Sequence, residues 1–233
     1  MTSYSIGLPT LLIFDFAGTV MRDDGAVLAA YRAALTEFGI PFTEEDLAAR
    51  RGANKRGVFR ELAGRALPES EVEDVAGSAL GSFEATLRQE YETGEVREIE
   101  GAEAAMMALK EAGVTLALTS GFDRGLVDLL VGRLGWGELF DCVLSGSDAP
   151  EGRPAPYLIY RAMTDQGVHD VSRVAVVGDT PLDLRAANNA RAGWVIGVLS
   201  GAHSIETLGT TPHTYLLPSV AALPRLFNLS PSS

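Results

Sequence analysis

Cysteine occurs once in the 233 residues, at Cys142, which excludes an internal disulfide and leaves a cysteine-held metal without support. Base is scarce as well: 19 lysines and arginines face 31 acids, for a formal net charge of −12. Nucleic acid is bound through a basic surface that neutralises phosphates, so this balance argues against it. Long apolar runs are missing. No stretch approaches the roughly 20 apolar residues that cross a bilayer, and the run from Met1 to Leu8 has no basic flank leading into a long apolar stretch. The expectation is a soluble cytoplasmic protein with no membrane partner. Lysine is the rarest cation of all, at Lys55 and Lys110 only.

What is abundant is apolar: 46% of residues, enough for a substantial core built as one domain, with or without an insertion. Short continuous apolar runs at 11–15, 114–119, 142–144, 174–178 and 194–199 have the pattern of strands buried on both faces. Helical stretches at 102–111, 126–134 and 156–165 alternate with them, which predicts a doubly wound parallel sheet of the α/β class. The alternation lapses from about Met21 to Val96, where the pattern reads as helices alone, at 26–38, 43–50, 57–66 and 69–91. Thr43 followed by Glu44, Glu45 and Asp46 places a capping hydroxyl ahead of an acidic first turn. The expected organisation is a core formed by 1–20 and 97–233, with a helical cap at 21–96 inserted after the first strand. The tail Ser230-Pro231-Ser232-Ser233 is expected to be disordered.

Lys55 sits inside the run Arg50-Arg51-Gly52-Ala53-Asn54-Lys55-Arg56-Gly57. Guanidinium groups crowding an amine ease its deprotonation, and only a neutral amine attacks a carbonyl carbon. The plainer reading of such a run is a solvated loop. Elsewhere the chain places acids where strands finish, and ligands of open parallel sheets gather beyond those carboxyl ends. The runs end Phe14-Asp15-Phe16-Ala17-Gly18-Thr19, Leu118-Thr119-Ser120-Gly121 and Val177-Gly178-Asp179-Thr180-Pro181-Leu182-Asp183, while Gly152-Arg153-Pro154-Ala155-Pro156 adds a cation ahead of a helix. Singly these are weak: a strand-terminal acid is commonly a helix cap, and Gly-Asp-Thr-Pro is also an ordinary turn. Together they make a chemistry. Converging carboxylates repel one another unless a cation or proton shares their charge, and all-oxygen ligation suits Mg²⁺. A carboxylate is also a competent nucleophile for phosphoryl transfer. Thr119 and backbone amides near Ser120 and Gly121 would hold phosphoryl oxygens, with Arg153 balancing their charge. A small anionic substrate is compatible with the acidic chain, because local arginines reverse the field inside a cleft.

These residues resemble the motifs of the haloacid dehalogenase superfamily of aspartate-nucleophile hydrolases, over nearly the whole chain. Asp15-Phe16-Ala17-Gly18-Thr19 is similar to its first motif, Thr119 to its second, Arg153 to its third, and Gly178-Asp179-Thr180 with Asp183 to its fourth. The Asp-x-Ala-Gly-Thr form, the Gly-Arg-Pro-x-Pro segment and Lys55 resemble the phosphonatase branch, which cleaves the carbon–phosphorus bond of phosphonoacetaldehyde. Thr119-Ser120-Gly121-Phe122-Asp123-Arg124 and Gly201-Ala202-His203 are similar to the phosphonatase-like hydrolases. The resemblance implies a Rossmann-like core and a role for each residue. Asp15 would be the nucleophile and a Mg²⁺ ligand, with the Ala17 carbonyl and Asp179 as further ligands and Asp183 as a ligand or supporting acid. Ala17, Gly18, Thr19, Ser120 and Gly121 would surround the substrate, Thr119 and Arg153 would act on the phosphoryl group, and Lys55 would form an imine.

Ala17 stands where phosphatases of the superfamily carry a general-acid aspartate, help that an enamine leaving group needs less. Three positions depart from the phosphonatase pattern: Val58 replaces a histidine three places after the lysine, Arg51 a methionine four before it, and Phe122 a tyrosine. The alternatives are a phosphomonoester phosphatase, in which Lys55 only binds the anion, and a catalytically idle anion-binding protein. Relatives of this kind often pair through cap helices, so a homodimer is a further implication. Among the remaining residues, His203 reads as structural, His169 and His213 as surface residues, Asp123 as a helix cap, Trp194 and Phe227 as core, and Cys142 as an inert packing residue.

Overall fold

The computed structural model describes residues 7–229, so the expectations for the first six residues and for the tail from Ser230 lie outside the described residues. One parallel sheet is built from β1 (Leu11–Asp15), β2 (Thr115–Thr119), β3 (Cys142–Leu144), β4 (Val174–Gly178), β5 (Trp194–Val198) and β6 (Tyr215–Leu217). Their spatial order is β3-β2-β1-β4-β5-β6. The five apolar runs read from the sequence are the first five strands. β6 is additional: three residues, each only half-buried, carry too little pattern to read.

Between β1 and the next core helix the chain holds α1 (Ala26–Glu37), α2 (Glu44–Ala49), α3 (Lys55–Gly64) and α4 (Glu69–Thr93), apart from isolated bridges from Met21 to Ala17 and to Glu98. The start of α2 is the expected one: Asp46 N donates to Thr43 Oγ1 at 3.1 Å, and Thr43 N donates back to Asp46 Oδ2 at 3.0 Å. α3 begins at Lys55, two residues earlier than periodicity predicts. Asn54 is the reason, since its side chain accepts from Gly57 N at 3.0 Å and starts the helix there. Tyr31 of α1, Phe59 of α3 and Phe83 of α4 meet with ring centroids 4.6–5.6 Å apart. Phe59 lies one turn after Lys55, so this aromatic contact fixes the position of the lysine as well as the packing of the helices.

The remaining helices are α5 (Ala102–Glu111), α6 (Arg124–Leu134), α7 (Tyr157–Asp165), α8 (Pro181–Ala190), α9 (Ile205–Gly209) and α10 (Leu223–Leu226). Side chains alternate across a strand, and β1 shows the result: Leu12 and Phe14 pack on one face with Met106, Leu109, Val127 and Leu130, while Leu11 and Ile13 pack on the other with Leu158, Ile159, Leu184 and Ala187. Helices on both faces are why β1 can be apolar at four consecutive positions and bury its terminal acid as well. Asp123 caps α6 by accepting from Leu126 N at 3.1 Å, Cys142 is buried, and Trp194 packs against Phe227 with centroids 6.3 Å apart, as expected. His169 and His213 are exposed. No helix among the described residues is long and apolar enough to cross a membrane.

Replacing Phe59 by alanine is expected to lower the unfolding free energy by about 3–5 kcal/mol. A urea titration measures this; a loss below about 1 kcal/mol would mean that α1, α3 and α4 do not depend on these rings.

Candidate active site

Asp15 is the last residue of β1 and lies in register with Thr119, the last residue of β2. Phe14 is in register with Val177 of β4, which carries Asp179 past the sheet edge beside Asp15. β2 and β4 flank β1 on opposite sides, so the chain connections diverge here, and the crevice at such a switch point is where α/β sheets bind ligands.

Arg153 organises the floor of this crevice. Its Nη1 lies 2.7 Å from Asp15 Oδ1 and its Nε 2.9 Å from Asp183 Oδ1. Its Nη2 donates to Thr119 Oγ1 at 2.9 Å and to the Thr119 carbonyl at 3.2 Å. Burial opposes the charge on Arg153, but Asp183 and Asp15 outweigh it and raise its pKa. Thr19 donates toward Asp15 Oδ2 at 3.3 Å and Asp179 Oδ1 at 3.2 Å, bridging the two acids. Asp183 also completes a capping box at the start of α8, its Oδ2 accepting from Thr180 Oγ1 at 2.6 Å and from Thr180 N at 3.1 Å. Asp183 therefore supports the site through Arg153 and Thr180.

Ligand atoms of Asp15, Asp179 and Asp183 all lie within 4.8 Å of one another. Burial, chiefly, pushes the Asp15 pKa up to about 6; Arg153 pulls it down and Asp183 pushes it up. Asp179 is raised well above the ordinary carboxylate range by burial, then by Asp15 and Asp183. Among the described residues Asp179 has no cationic side chain in ion-pair reach; it accepts from Thr19 and, at 3.4 Å, from Ala202 N. Three buried carboxylates, two paired to one arginine and the third to no cation among the described residues, fit a hard divalent cation with oxygen ligands. Glycines let the backbone close in: a Cβ on Gly18, at φ +92°, would lie 2.5 Å from Asp179 Oδ2, and one on Gly201 would overlap the same carboxylate.

Lys55 reaches this crevice from the first turn of α3. It is only 7% exposed. Its Nζ donates to the Ala53 carbonyl at 3.2 Å and sits 5.7 Å from the ring centroids of both Tyr31 and Phe122. Burial, then Arg153, pushes its pKa down to about 8, against the pull of Asp15, Asp23 and Asp183. The cause thus differs from the one expected. The neighbouring arginines of its own run are not what depress it, because Arg50 turns away to hydrogen-bond Asp46 and Glu61. The loop before Lys55 presses on the core through glycines: a Cβ on Gly52, at φ +77°, would lie 2.8 Å from Thr180 Oγ1, and one on Gly121 would lie 3.3 Å from the Ala53 carbonyl.

One cavity of ≈ 290 Å³ is lined by Asp15, Ala17, Gly18, Lys55, Ser120, Gly121, Arg153 and Asp179. Thr19, Thr119 and Asp183 lie beneath it, buried. The amide of Ser120 is committed to the Leu144 carbonyl at 3.0 Å and its hydroxyl accepts from Phe122 N at 3.1 Å, while Ser120 and Gly121 line the space. Asp23, Arg51 and Ser200 also line the cavity, and sequence reading assigned them no role there. Asp23 follows β1 by eight residues and had no spacing signal; Arg51 was visible only as a departure from a pattern. His203 is half-buried beside this group, its pKa lowered by burial and then by Arg51.

A parallel sheet with buried carboxylates and an arginine at its switch point defines a ligand crevice of the doubly wound α/β class. The family model for haloacid dehalogenase-like hydrolases matches residues 12–196, and the chain belongs to that family. It is 32% identical over 108 residues to a phosphonoacetaldehyde hydrolase of Parabacteroides distasonis, an alignment covering 46% of this chain and 40% of that relative. Over 207 residues it is 27% identical to the phosphonoacetaldehyde hydrolase of Bacillus cereus, covering 83% of this chain and 77% of the relative. Its fold is similar to that of a hydrolase from Pseudomonas syringae, with a TM-score of 0.82 and 18% identity, over 95% of this chain and 99% of the other.

The crowded carboxylates make a thermodynamic prediction. A pKa raised from 3.8 to about 6 on Asp15 means that its contribution to the stability of the metal-free protein is full below pH 4 and lost as the pH rises through 6. Mg²⁺ added at 100 times its pH 7 Kd is therefore expected to stabilise by about 2.7 kcal/mol at pH 7 and by less at pH 5. Asp179→Asn should stabilise the metal-free protein and abolish the response. Thermal melts with and without Mg²⁺ read both, and an equal response in wild type and Asp179→Asn would remove Asp179 from the metal site.

Proposed function

We propose that this chain hydrolyses the carbon–phosphorus bond of a small phosphonate bearing a carbonyl group, with residues 21–96 acting as a cap over a core formed by 1–20 and 97–233. The observation that carries the reading is Lys55: a buried amine, without an ion pair among the described residues, lining the same cavity as Asp15. The names of the two curated relatives support it.

The neutral Lys55 amine adds to the carbonyl carbon, water leaves, and the imine nitrogen takes a proton from solvent to give a protonated imine. Asp15 attacks phosphorus as the carbon–phosphorus bond breaks, and the electron pair of that bond moves into the imine to form an enamine. Water then hydrolyses the aspartyl-phosphate. The enamine takes a proton at carbon, and a second water releases the carbonyl product and Lys55; net, one water is consumed. Arg153 holds Asp15 ionised and aimed, while Ser120 and Gly121 bound the phosphoryl end. Mg²⁺, held by Asp15, Asp179 and the Ala17 carbonyl with Asp183 in support, would supply the positive charge that offsets the acids and the phosphonate oxygens.

Val58 favours a second reading. It lies 3% exposed in the hydrophobic core and offers no proton at the lysine, so a phosphomonoester phosphatase with Lys55 as an anion ligand is the competing function.

Incubation with phosphonoacetaldehyde and borohydride should leave a mass adduct on Lys55, with phosphate released from the untrapped reaction. Lys55→Arg should abolish phosphonate turnover. Because the Lys55 pKa is about 8, the rate should rise about tenfold per pH unit below 8 and level off above it. Turnover of phosphate esters that survives Lys55→Arg, without an adduct, would replace this reading by the second.

A further inference from the structure

Arg51 is the one cation of the cavity that the proposed mechanism leaves unused. Its side chain is 20% exposed, and it lines the cavity together with Asp15, Lys55 and Arg153. Among the described residues its nearest carboxylate is Asp23, whose Oδ2 stands 4.0 Å from Arg51 Nη1, beyond hydrogen-bond reach. The other oxygen of Asp23 accepts from Val27 N at 3.3 Å, at the start of α1. Asp23 therefore orients Arg51 without saturating its five N–H donors. Arg50 makes the contrast: all three of its guanidinium nitrogens donate, to Asp46 Oδ1 at 3.1 Å and to Glu61 at 3.2 and 2.7 Å.

The backbone carrying Arg51 is also fixed. Gly52 lies against Thr180 on one side, and the Ala53 carbonyl lies against Gly121 on the other. Burial lowers the pKa of His203, which also stands near enough to Arg51 for the guanidinium to lower it further, so the positive charge at this end of the cavity is that of Arg51 itself. The phosphoryl end of a substrate is taken by Asp15 and Arg153, so a guanidinium elsewhere in a cavity of ≈ 290 Å³ faces a second anionic group on the same small molecule.

We propose that Arg51 binds a substrate carboxylate, so that the substrate is an oxo acid: phosphorus on one carbon, the carbonyl on the next and the carboxylate beyond it. This rests on the carbon–phosphorus reading above and names its substrate class. A planar guanidinium meets a carboxylate through two parallel hydrogen bonds, which fixes the carbonyl between the two ends of the molecule where the Lys55 amine attacks. The chemistry balances without an oxidant. The carbon–phosphorus bond breaks, an oxygen of Asp15 bonds to phosphorus and is released by water, and the enamine carbon takes a proton. The products are a 2-oxo acid and orthophosphate.

The test compares 2-oxo-3-phosphonopropanoate with phosphonoacetaldehyde in the full-length wild type, Arg51→Met, Arg51→Lys and Asp23→Asn, each checked by its thermal melt. The ratio of kcat/KM for the acid over the aldehyde should fall about 100-fold in Arg51→Met, through KM for the acid. Arg51→Lys should recover part of the ratio, because it keeps the charge but not the fork. Asp23→Asn, which leaves the guanidinium in place, should keep most of it. An unchanged ratio in Arg51→Met, or an equal fall in Asp23→Asn, overturns the assignment and makes Arg51 a partner of Asp23 only. If neither phosphonate releases phosphate and borohydride leaves no adduct on Lys55, the carbon–phosphorus reading itself fails, an outcome distinct from an unchanged ratio.

Discussion

Arg153 joins Asp15 at 2.7 Å, Asp183 at 2.9 Å and Thr119 at 2.9 Å, and through them it ties the ends of β1 and β2 to the start of α8. A guanidinium this deeply buried costs several kcal/mol in lost hydration, and it is tolerated only when acceptors surround it. The acceptors here come from the ends of β1 and β2 and from the first turn of α8, so these elements must keep their positions for the arginine to stay satisfied. The same contacts leave Asp15 ionised and pointed, against a burial effect that alone would protonate it. Structure and reactivity therefore share one interaction.

The imbalance that Arg153 leaves is as informative as the pairing it makes. Asp15 and Asp183 each have its charge; Asp179 has only the hydroxyl of Thr19 and the amide of Ala202. A divalent cation held by Asp15 and Asp179 would remove a repulsion that the protein does not relieve by itself. Gly18 and Gly201 make room around Asp179 by having no side chain to put there.

The helical segment brings a different kind of group. The Lys55 amine meets aromatic rings and a carbonyl instead of an acid, and its pKa falls because water is excluded and Arg153 is near. That environment exists only where α3 meets the core. Tyr31, Phe59 and Phe83 hold the helix, and Gly52 and Gly121 let the loop before it approach the strand ends.

Five strands, the helical interruption and the caps at Thr43 and Asp123 were legible in the sequence, because apolar runs and capping hydroxyls or carboxylates act over a few residues. So was the meeting of Asp15, Thr119, Asp179 and Asp183 at one place, since a parallel sheet sends the ends of its strands to one edge whatever lies between them; Arg153 reaches it from the loop before α7. β6 was not, being three half-buried residues whose pairing with β5 supplies what their pattern lacks. The state of Lys55 was read in the right direction for the wrong cause: flanking arginines are neighbours in the chain, and Arg153 and burial are neighbours only in the fold. Asp23 and Arg51 entered the cavity unannounced for the same reason. Local sequence determines which segments form and where their acids emerge; solvent exclusion and the distance between charges belong to the assembled chain, and those two quantities decide what each site residue can do.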